Sequence, residues 1–142
     1  MAFREKIAWL TLGTMLVAYA AYFGVVGPAA GFGRSGLVDV IWSFGPVAAT
    51  QALVVLAGSA VLAIAAWREA RAPADERDRA IARRGSTMGY FVLLAGMILV
   101  GVVMPFSEPA WKIVNCALAA IVAAEAVRYA VILLSYRRGW HG

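Results

Sequence analysis

Four long apolar stretches constrain this chain more than any other feature of its sequence. Each can form a helix of about 20 residues, the length needed to cross a hydrocarbon core of about 30 Å. Hydrophobic residues make up 63% of the 142 residues and charged residues only 15%, whereas a typical soluble domain has about 25% charged residues. Four spans leave little chain for anything else. We therefore predict an all-α membrane protein whose main solvent is lipid.

Prolines, glycines and interfacial aromatic residues set the expected limits of the spans. We predict a single membrane domain, residues 1–142, in which short connections favour an up-down four-helix bundle. Pro28 and Pro105 are expected to end the first and third spans, and Pro46 to lie in the first turn of the second, because proline lacks the N–H that a helix interior needs. The predicted spans are about 7–26, 46–67, 87–104 and 111–136.

Lysine and arginine residues are unevenly divided between the two sides of the predicted membrane. Ten of the 13 lie on one side, whereas Arg34 and Lys112 lie on the other and Arg128 lies within the fourth span. Because loops rich in Lys and Arg stay in the cytoplasm, both termini are predicted to be cytoplasmic. The net charge of +5 is then explained by topology, and direct binding of nucleic acid is not expected. An alternative for the first span is a cleaved signal peptide, which would leave this orientation unchanged.

A charged segment, REARAPADERDRAIARRG, joins the second and third spans and carries six arginines and four acids. We predict a cytoplasmic hairpin at 68–86, in which Pro73 ends one helix and Asp75 is the N-cap of the next. That helix is expected to run directly into the third span. Its arginines near the membrane are suited to anionic lipid headgroups, at about 1 kcal/mol each. The candidate interaction residues of the hairpin are Asp75, Glu76, Arg77, Asp78, Arg79, Arg83 and Arg84.

Glu125 and Arg128 lie within the fourth span, where a charged residue costs at least about 2.5 kcal/mol. At positions i and i+3 they adjoin on one helix face, which predicts a mutual ion pair. With Asn115 and Tyr129, Glu125 is expected to form a polar stripe facing the bundle. Two interpretations follow. In the structural one, Arg128 reaches toward the headgroups and keeps Glu125 ionised; in the functional one, Glu125 carries a proton or binds a cation.

The remaining polar residues give no pattern typical of an enzyme. The sequence has no Ser/His/Asp or Cys/His set, paired carboxylates, histidine metal site or phosphate-binding glycine loop. Cys116 has no partner within the chain, and the only histidine, His141, lies in the polar tail. Tyr19 and Tyr22 are expected in an aromatic belt at the lipid interface rather than in a cofactor cage. We predict no catalysis, no cofactor and no metal.

Three segments, FREKIAWLTLG, DERDRAIARRGSTMGY and AAEAVRYAVILLSYRRG, resemble a widespread group of bacterial four-helix membrane proteins. The recurring strings of that group are ERDxxI..RG and AExxRYxxQLxxYRRG, and the resemblance covers most of the chain. Genes of the group often neighbour a helix-turn-helix regulator, which implies a sensory or sequestering role at the membrane. Relatives often place glutamine where this chain has Ile132. The matching positions are Glu76, Arg77, Asp78, Arg79, Gly85, Glu125, Arg128, Arg137 and Arg138.

These observations lead to two functional hypotheses for a multi-pass protein of the bacterial inner membrane. The first is a non-catalytic accessory or regulatory protein whose cytoplasmic hairpin contacts a protein partner or anionic headgroups. The alternative is a small proton-coupled or cation transporter that uses Glu125 and is a homo-oligomer, because four helices enclose little volume.

Overall fold

The computed structural model describes residues 3–71 and 75–139, which form four long helices. A short helical segment, Trp67–Arg71, follows the second of them, and no strand occurs within the described ranges. All four long helices are of sufficient length and apolarity to cross a membrane. The predicted all-α fold with four spans is confirmed. The helices are α1 (Phe3–Ala29), α2 (Leu37–Ala65), α3 (Glu76–Phe106) and α4 (Ala110–Arg137).

The second helix begins earlier than its sequence predicts. It starts at Leu37, so that Pro46 lies inside α2 and not in its first turn. A membrane helix tolerates an internal proline because neighbouring groups satisfy the carbonyl that the ring leaves without a donor. At 29 residues α2 is about 43 Å long. It therefore tilts or extends beyond a hydrocarbon core of about 30 Å.

Pro28 and Pro105 do not end their helices where the sequence places the ends. A turn of π-helix precedes each proline, at Tyr22–Val26 and at Leu99–Val103. The amide that follows each turn donates to the carbonyl five residues back, which shifts the helical register ahead of the proline. The same string, Gly-Val-Val-X-Pro, occurs at both places. Both helices consequently continue for one residue past the proline.

Helix α3 begins on the charged segment and continues into its span without a break, as the sequence predicts. Asp75 is its N-cap, and the Asp75 carboxylate accepts the backbone N–H of Glu76 at 2.7 Å. Helix α4 agrees with the predicted fourth span to within one residue at each end. The predictions for Pro73 and His141 lie outside the described residues.

The helices pack in the order α2, α1, α4, α3, with each in contact with its neighbours in that row. The ring of Tyr19 stacks on that of Phe44, with centroids 5.6 Å apart, while Leu10 lies against Gly58. Because Leu10 and Gly58 are toward one end and Tyr19 and Phe44 toward the other, α1 and α2 are antiparallel. The same alternation holds along the chain, and it confirms the up-down arrangement.

Three glycines of α3 bring it into close contact with α4. A Cβ atom added at Gly85 would lie 2.9 Å from the carbonyl oxygen of Arg128, and one at Gly89 would lie 2.9 Å from that of Ala124. One at Gly96 would lie 2.6 Å from Ala120 Cβ. Small residues permit this approach of two backbones, which in lipid replaces the hydrophobic effect as a source of helix association. The α3–α4 pair is therefore the tightest helix contact of the bundle.

Elsewhere the bundle leaves much apolar surface exposed. Leu53, Leu56, Val61 and Ile64 of α2 are all more than 60% exposed. In a membrane such side chains meet lipid tails, so their exposure carries no hydrophobic penalty. The bundle is held by a small number of close and polar contacts.

We expect Gly89→Ala to destabilise the bundle by about 1–3 kcal/mol, because the added methyl would clash with the backbone of α4. The matched control is Gly13→Ala, since a Cβ atom at Gly13 would have nothing within 4 Å. Equilibrium unfolding of the detergent-solubilised chain, followed by circular dichroism, measures both. Equal stability of the two variants would show that the α3–α4 contact is not tight.

Candidate functional site

The intramembrane ion pair forms as its spacing predicts. Arg128 Nη1 lies 3.3 Å from Glu125 Oε1 and 3.3 Å from Oε2. The guanidinium reaches back by one turn toward the middle of α4, so the structure shows the pair and not an Arg128 extended toward Arg137. The side chains are 40% and 42% exposed for Arg128 and Glu125. Together they carry no net charge, which reduces the cost of placing them in a span.

The pair lies in the groove between α4 and α3. A small pocket of about 190 Å³ adjoins it and is shared by both helices. Arg128 Nε is buried and has no hydrogen-bond partner among the residues that the structure describes. The groove is narrow because Gly89 has no side chain to hold the two helices apart. A Cβ atom added at Gly89 would lie 3.0 Å from Arg128 Cβ. The pocket is lined by Ser86, Gly89, Tyr90, Leu93, Ala124, Glu125 and Arg128.

Asn115 is the member of the predicted polar stripe on α4 that lies apart from Glu125. Asn115 lies near the opposite end of α4 from the hairpin and is 7% exposed. Its side-chain amide donates to the carbonyls of Trp111, at 2.8 Å, and Phe32, at 2.9 Å. Asn115 Oδ1 accepts the hydroxyl of Tyr22 at 2.8 Å. Asn115 therefore joins three parts of the bundle.

Tyr22 was expected at the lipid interface, and this expectation is wrong. Its side chain is fully buried, with 0% exposure. The ring packs edge-on against Phe23, Phe32 and Phe44. Phe32 adopts a left-handed backbone conformation, with φ of 53°. An aromatic residue with a hydroxyl can be buried when the hydroxyl finds a partner, and Asn115 supplies it.

Tyr129 lines a crevice between α4 and α1, and its ring centroid lies 5.5 Å from the guanidinium carbon of Arg128. This crevice has a volume of about 280 Å³ and includes Arg4, Asp78 and Tyr136. Asp78 Oδ1 accepts the hydroxyl of Tyr136 at 2.7 Å, and Asp78 Oδ2 lies 3.3 Å from Arg4 Nε. We refer to Arg4, Asp78 and Tyr136 as the Asp78 clasp. It ties the start of α1, the start of α3 and the end of α4 together.

Three of the other hairpin residues lie along one face of α3. Glu76, Arg79 and Arg83 are all exposed. At 100° per residue they fall within an arc of about 60°. We call these three residues the charged stripe. On the opposite face lie Asp78 and Ile81, and Ile81 is fully buried.

The remaining candidates lie outside the charged stripe. Asp75 serves as the N-cap, Arg77 is half-buried, and Arg84 is exposed on the side that faces α4. The segment 72–74 of the predicted hairpin lies outside the described residues.

Sequence reasoning missed the partners of the Asp78 clasp and of Asn115. Tyr22 was expected at the membrane interface, and no contact was predicted for Arg4 or Tyr136. No local spacing reveals such contacts, because Tyr136 and Asp78 are 58 residues apart and Tyr22 and Asn115 are 93 apart. The sequence does contain one signal of such contacts. A polar side chain at a helix end or within a span needs a partner, because its surroundings have a low dielectric constant.

Fold and site together define a multi-pass, all-α membrane protein with a charged helical extension. Comparison with protein-family models, with curated proteins and with solved structures finds no match to this chain.

We expect the Glu125–Arg128 pair to be a structural unit. Glu125→Gln leaves the guanidinium of Arg128 without its counter-charge and should lower the free energy of unfolding. The loss should be smaller than the about 3–5 kcal/mol of a fully buried pair, because both side chains are about 40% exposed. The double variant Glu125→Gln/Arg128→Gln carries no charge and should recover most of that loss. Denaturation of the three proteins in detergent measures this. A double variant that is no more stable than Glu125→Gln would contradict the structural role.

Proposed function

We propose that this chain is a non-catalytic accessory or regulatory protein of the bacterial inner membrane, with both termini and the charged segment in the cytoplasm. It acts by docking a cytoplasmic protein partner on the charged stripe of Glu76, Arg79 and Arg83. Its transmembrane bundle serves as the anchor that positions this stripe. The proposal rests on the geometry of the α3 extension and on the distribution of charge along the sequence.

The observation that carries the proposal is that α3 extends beyond its span as a fixed helix. The Asp78 clasp holds the inner face of that extension against α1 and α4. The charged stripe lies on the opposite face and is exposed. A surface whose side chains stand on a rigid element loses less conformational entropy on binding than one on a flexible loop. The charged stripe is thus preorganised for binding a partner.

The pattern of charge indicates a protein partner for this stripe. One acid lies furthest from the membrane, and two arginines lie nearer to it. A stripe of both signs can be matched in register by a partner of reversed pattern, which gives specificity and a fast association rate. A purely anionic surface would match the arginines but be repelled by Glu76.

A transport role for Glu125 is less well supported. A carboxylate that gains a proton would leave the neighbouring guanidinium of Arg128 without a counter-charge in the span. The structure also places Asn115 apart from Glu125, in hydrogen bonds with Tyr22 and with the carbonyl of Phe32.

The proposed orientation is tested by cysteine labelling in whole cells. In a Cys116→Ala background, single cysteines replace Ala82 near the charged stripe and Ser107 at the opposite end, both of which are exposed. We expect a membrane-impermeant maleimide to label the cysteine at 107 in intact cells and that at 82 only after permeabilisation. The reverse pattern would contradict the orientation.

The docking role is tested by photocrosslinking in native membranes. A photoreactive residue at Ala80, which lies beside the stripe, should capture one discrete partner. The exchange Glu76→Lys/Arg79→Glu should abolish capture, because it inverts the sign of two of the three stripe charges while it keeps the net charge and the Asp78 clasp.

The matched control exchanges a second charged pair at the opposite end of the bundle. Glu108 and Lys112 form an ion pair at 2.6 Å, and Glu108→Lys/Lys112→Glu likewise leaves the net charge unchanged. Capture should persist in this variant. The docking role would be refuted if the partner were still captured by Glu76→Lys/Arg79→Glu. It would also be refuted if capture were lost in the Glu108→Lys/Lys112→Glu control as well.

A further inference from the structure

A second polar feature lies where α3 and α4 leave the span, on a different face from the charged stripe. It is a pocket of about 260 Å³ lined by Arg84, Val131, Leu134, Ser135 and Arg138. We call it the basic pocket. Arg84, Ser135 and Arg138 form its polar wall, and Val131 and Leu134 form its apolar wall.

The close contact of α3 with α4 creates this pocket. A Cβ atom at Gly85 would lie 2.9 Å from the carbonyl oxygen of Arg128 and 2.6 Å from Ile132 Cγ1, so the two helices are in close contact directly beside Arg84. Arg84 is thereby placed across from the end of α4. Arg83, the preceding residue, projects from another face of α3, within the charged stripe.

Helix α4 contributes the rest of the pocket from a single face. Val131, Ser135 and Arg138 are spaced i, i+4 and i+7, which aligns them along the helix. Ser135 is buried, with 3% exposure, whereas Leu134 is 50% exposed. From Val131 to Arg138 the wall changes from apolar to cationic over about 10 Å.

We propose that the basic pocket binds the phosphate of an anionic phospholipid. The planar guanidinium groups of Arg84 and Arg138 can each donate two hydrogen bonds to phosphate oxygens, and the Ser135 hydroxyl can donate a further one. The first methylene groups of the lipid then lie along Val131 and Leu134. This site is additional to the docking role proposed for the charged stripe.

The combination of a polar and an apolar wall favours a lipid over a free anion as the ligand of the basic pocket. A soluble phosphate would use the two arginines and leave the apolar wall empty. A lipid headgroup meets both walls at once, at the depth where basic residues flank a span. The two phosphate sources are therefore separable by experiment.

The experiment measures lipid retention on the full-length chain by native mass spectrometry from mixed micelles. The micelles contain phosphatidylglycerol and phosphatidylcholine in equal amounts. We expect phosphatidylglycerol to be retained in preference. Arg84→Gln and Arg138→Gln should each weaken its retention by roughly tenfold, as expected for loss of charge-assisted hydrogen bonds.

Two further variants separate a built pocket from a diffuse positive surface. Arg83→Gln removes the same charge from the adjacent residue outside the pocket, and it should change retention by less than about twofold. Ser135→Ala leaves the charge intact and should weaken retention by roughly fivefold, through the loss of one hydrogen bond. Helix content by circular dichroism, unchanged in each variant, confirms that the bundle is folded.

Three outcomes would overturn the proposal. Equal weakening by Arg83→Gln and Arg84→Gln would show that binding follows net charge alone. Equal retention of the two lipids would show that the arginines do not select an anionic headgroup. Displacement of phosphatidylglycerol by millimolar inorganic phosphate would show that the pocket recognises free phosphate and not lipid.

Discussion

The contact between α3 and α4 is the constraint on which the other features of this protein depend. Helices in lipid gain little from the hydrophobic effect, because lipid tails are as apolar as the side chains that they replace. Gly85, Gly89 and Gly96 let the two backbones approach closely, and dispersion contacts accumulate along the whole interface. The same approach sets Arg84 beside the end of α4 and narrows the groove that contains the Glu125–Arg128 pair.

Polar contacts complete the bundle at its two ends. At one end Asn115 ties α4 to Tyr22 of α1 and to the connection before α2. At the other, Asp78 joins three helices through Arg4 and Tyr136. A hydrogen bond between membrane helices contributes about 0.6–2 kcal/mol, so these contacts fix the register of helices that glycines bring together. The charged stripe and the basic pocket both lie on the end held by Asp78.

The sequence predicts the number and type of helices, the N-cap at Asp75 and the Glu125–Arg128 pair, because each depends on local spacing. Sequence-based prediction fails where the position of a residue depends on a contact with a residue far away in the chain. Pro46 was expected to begin a helix and lies within one, since a membrane helix tolerates an internal proline. The burial of Tyr22 depends on Asn115, and the role of Asp78 depends on Tyr136. Neither partner can be identified before the helices are placed.

The central claim is that α3 and α4 form one rigid unit that fixes both the charged stripe and the basic pocket. The most direct test is the distance distribution between spin labels at Ala82 of α3 and Ile121 of α4, both exposed, in a Cys116→Ala background in lipid nanodiscs. Pulsed electron paramagnetic resonance should give a single narrow distribution, which Gly89→Leu should broaden. A broad or multiple distribution in the protein with Gly89 intact would contradict the account.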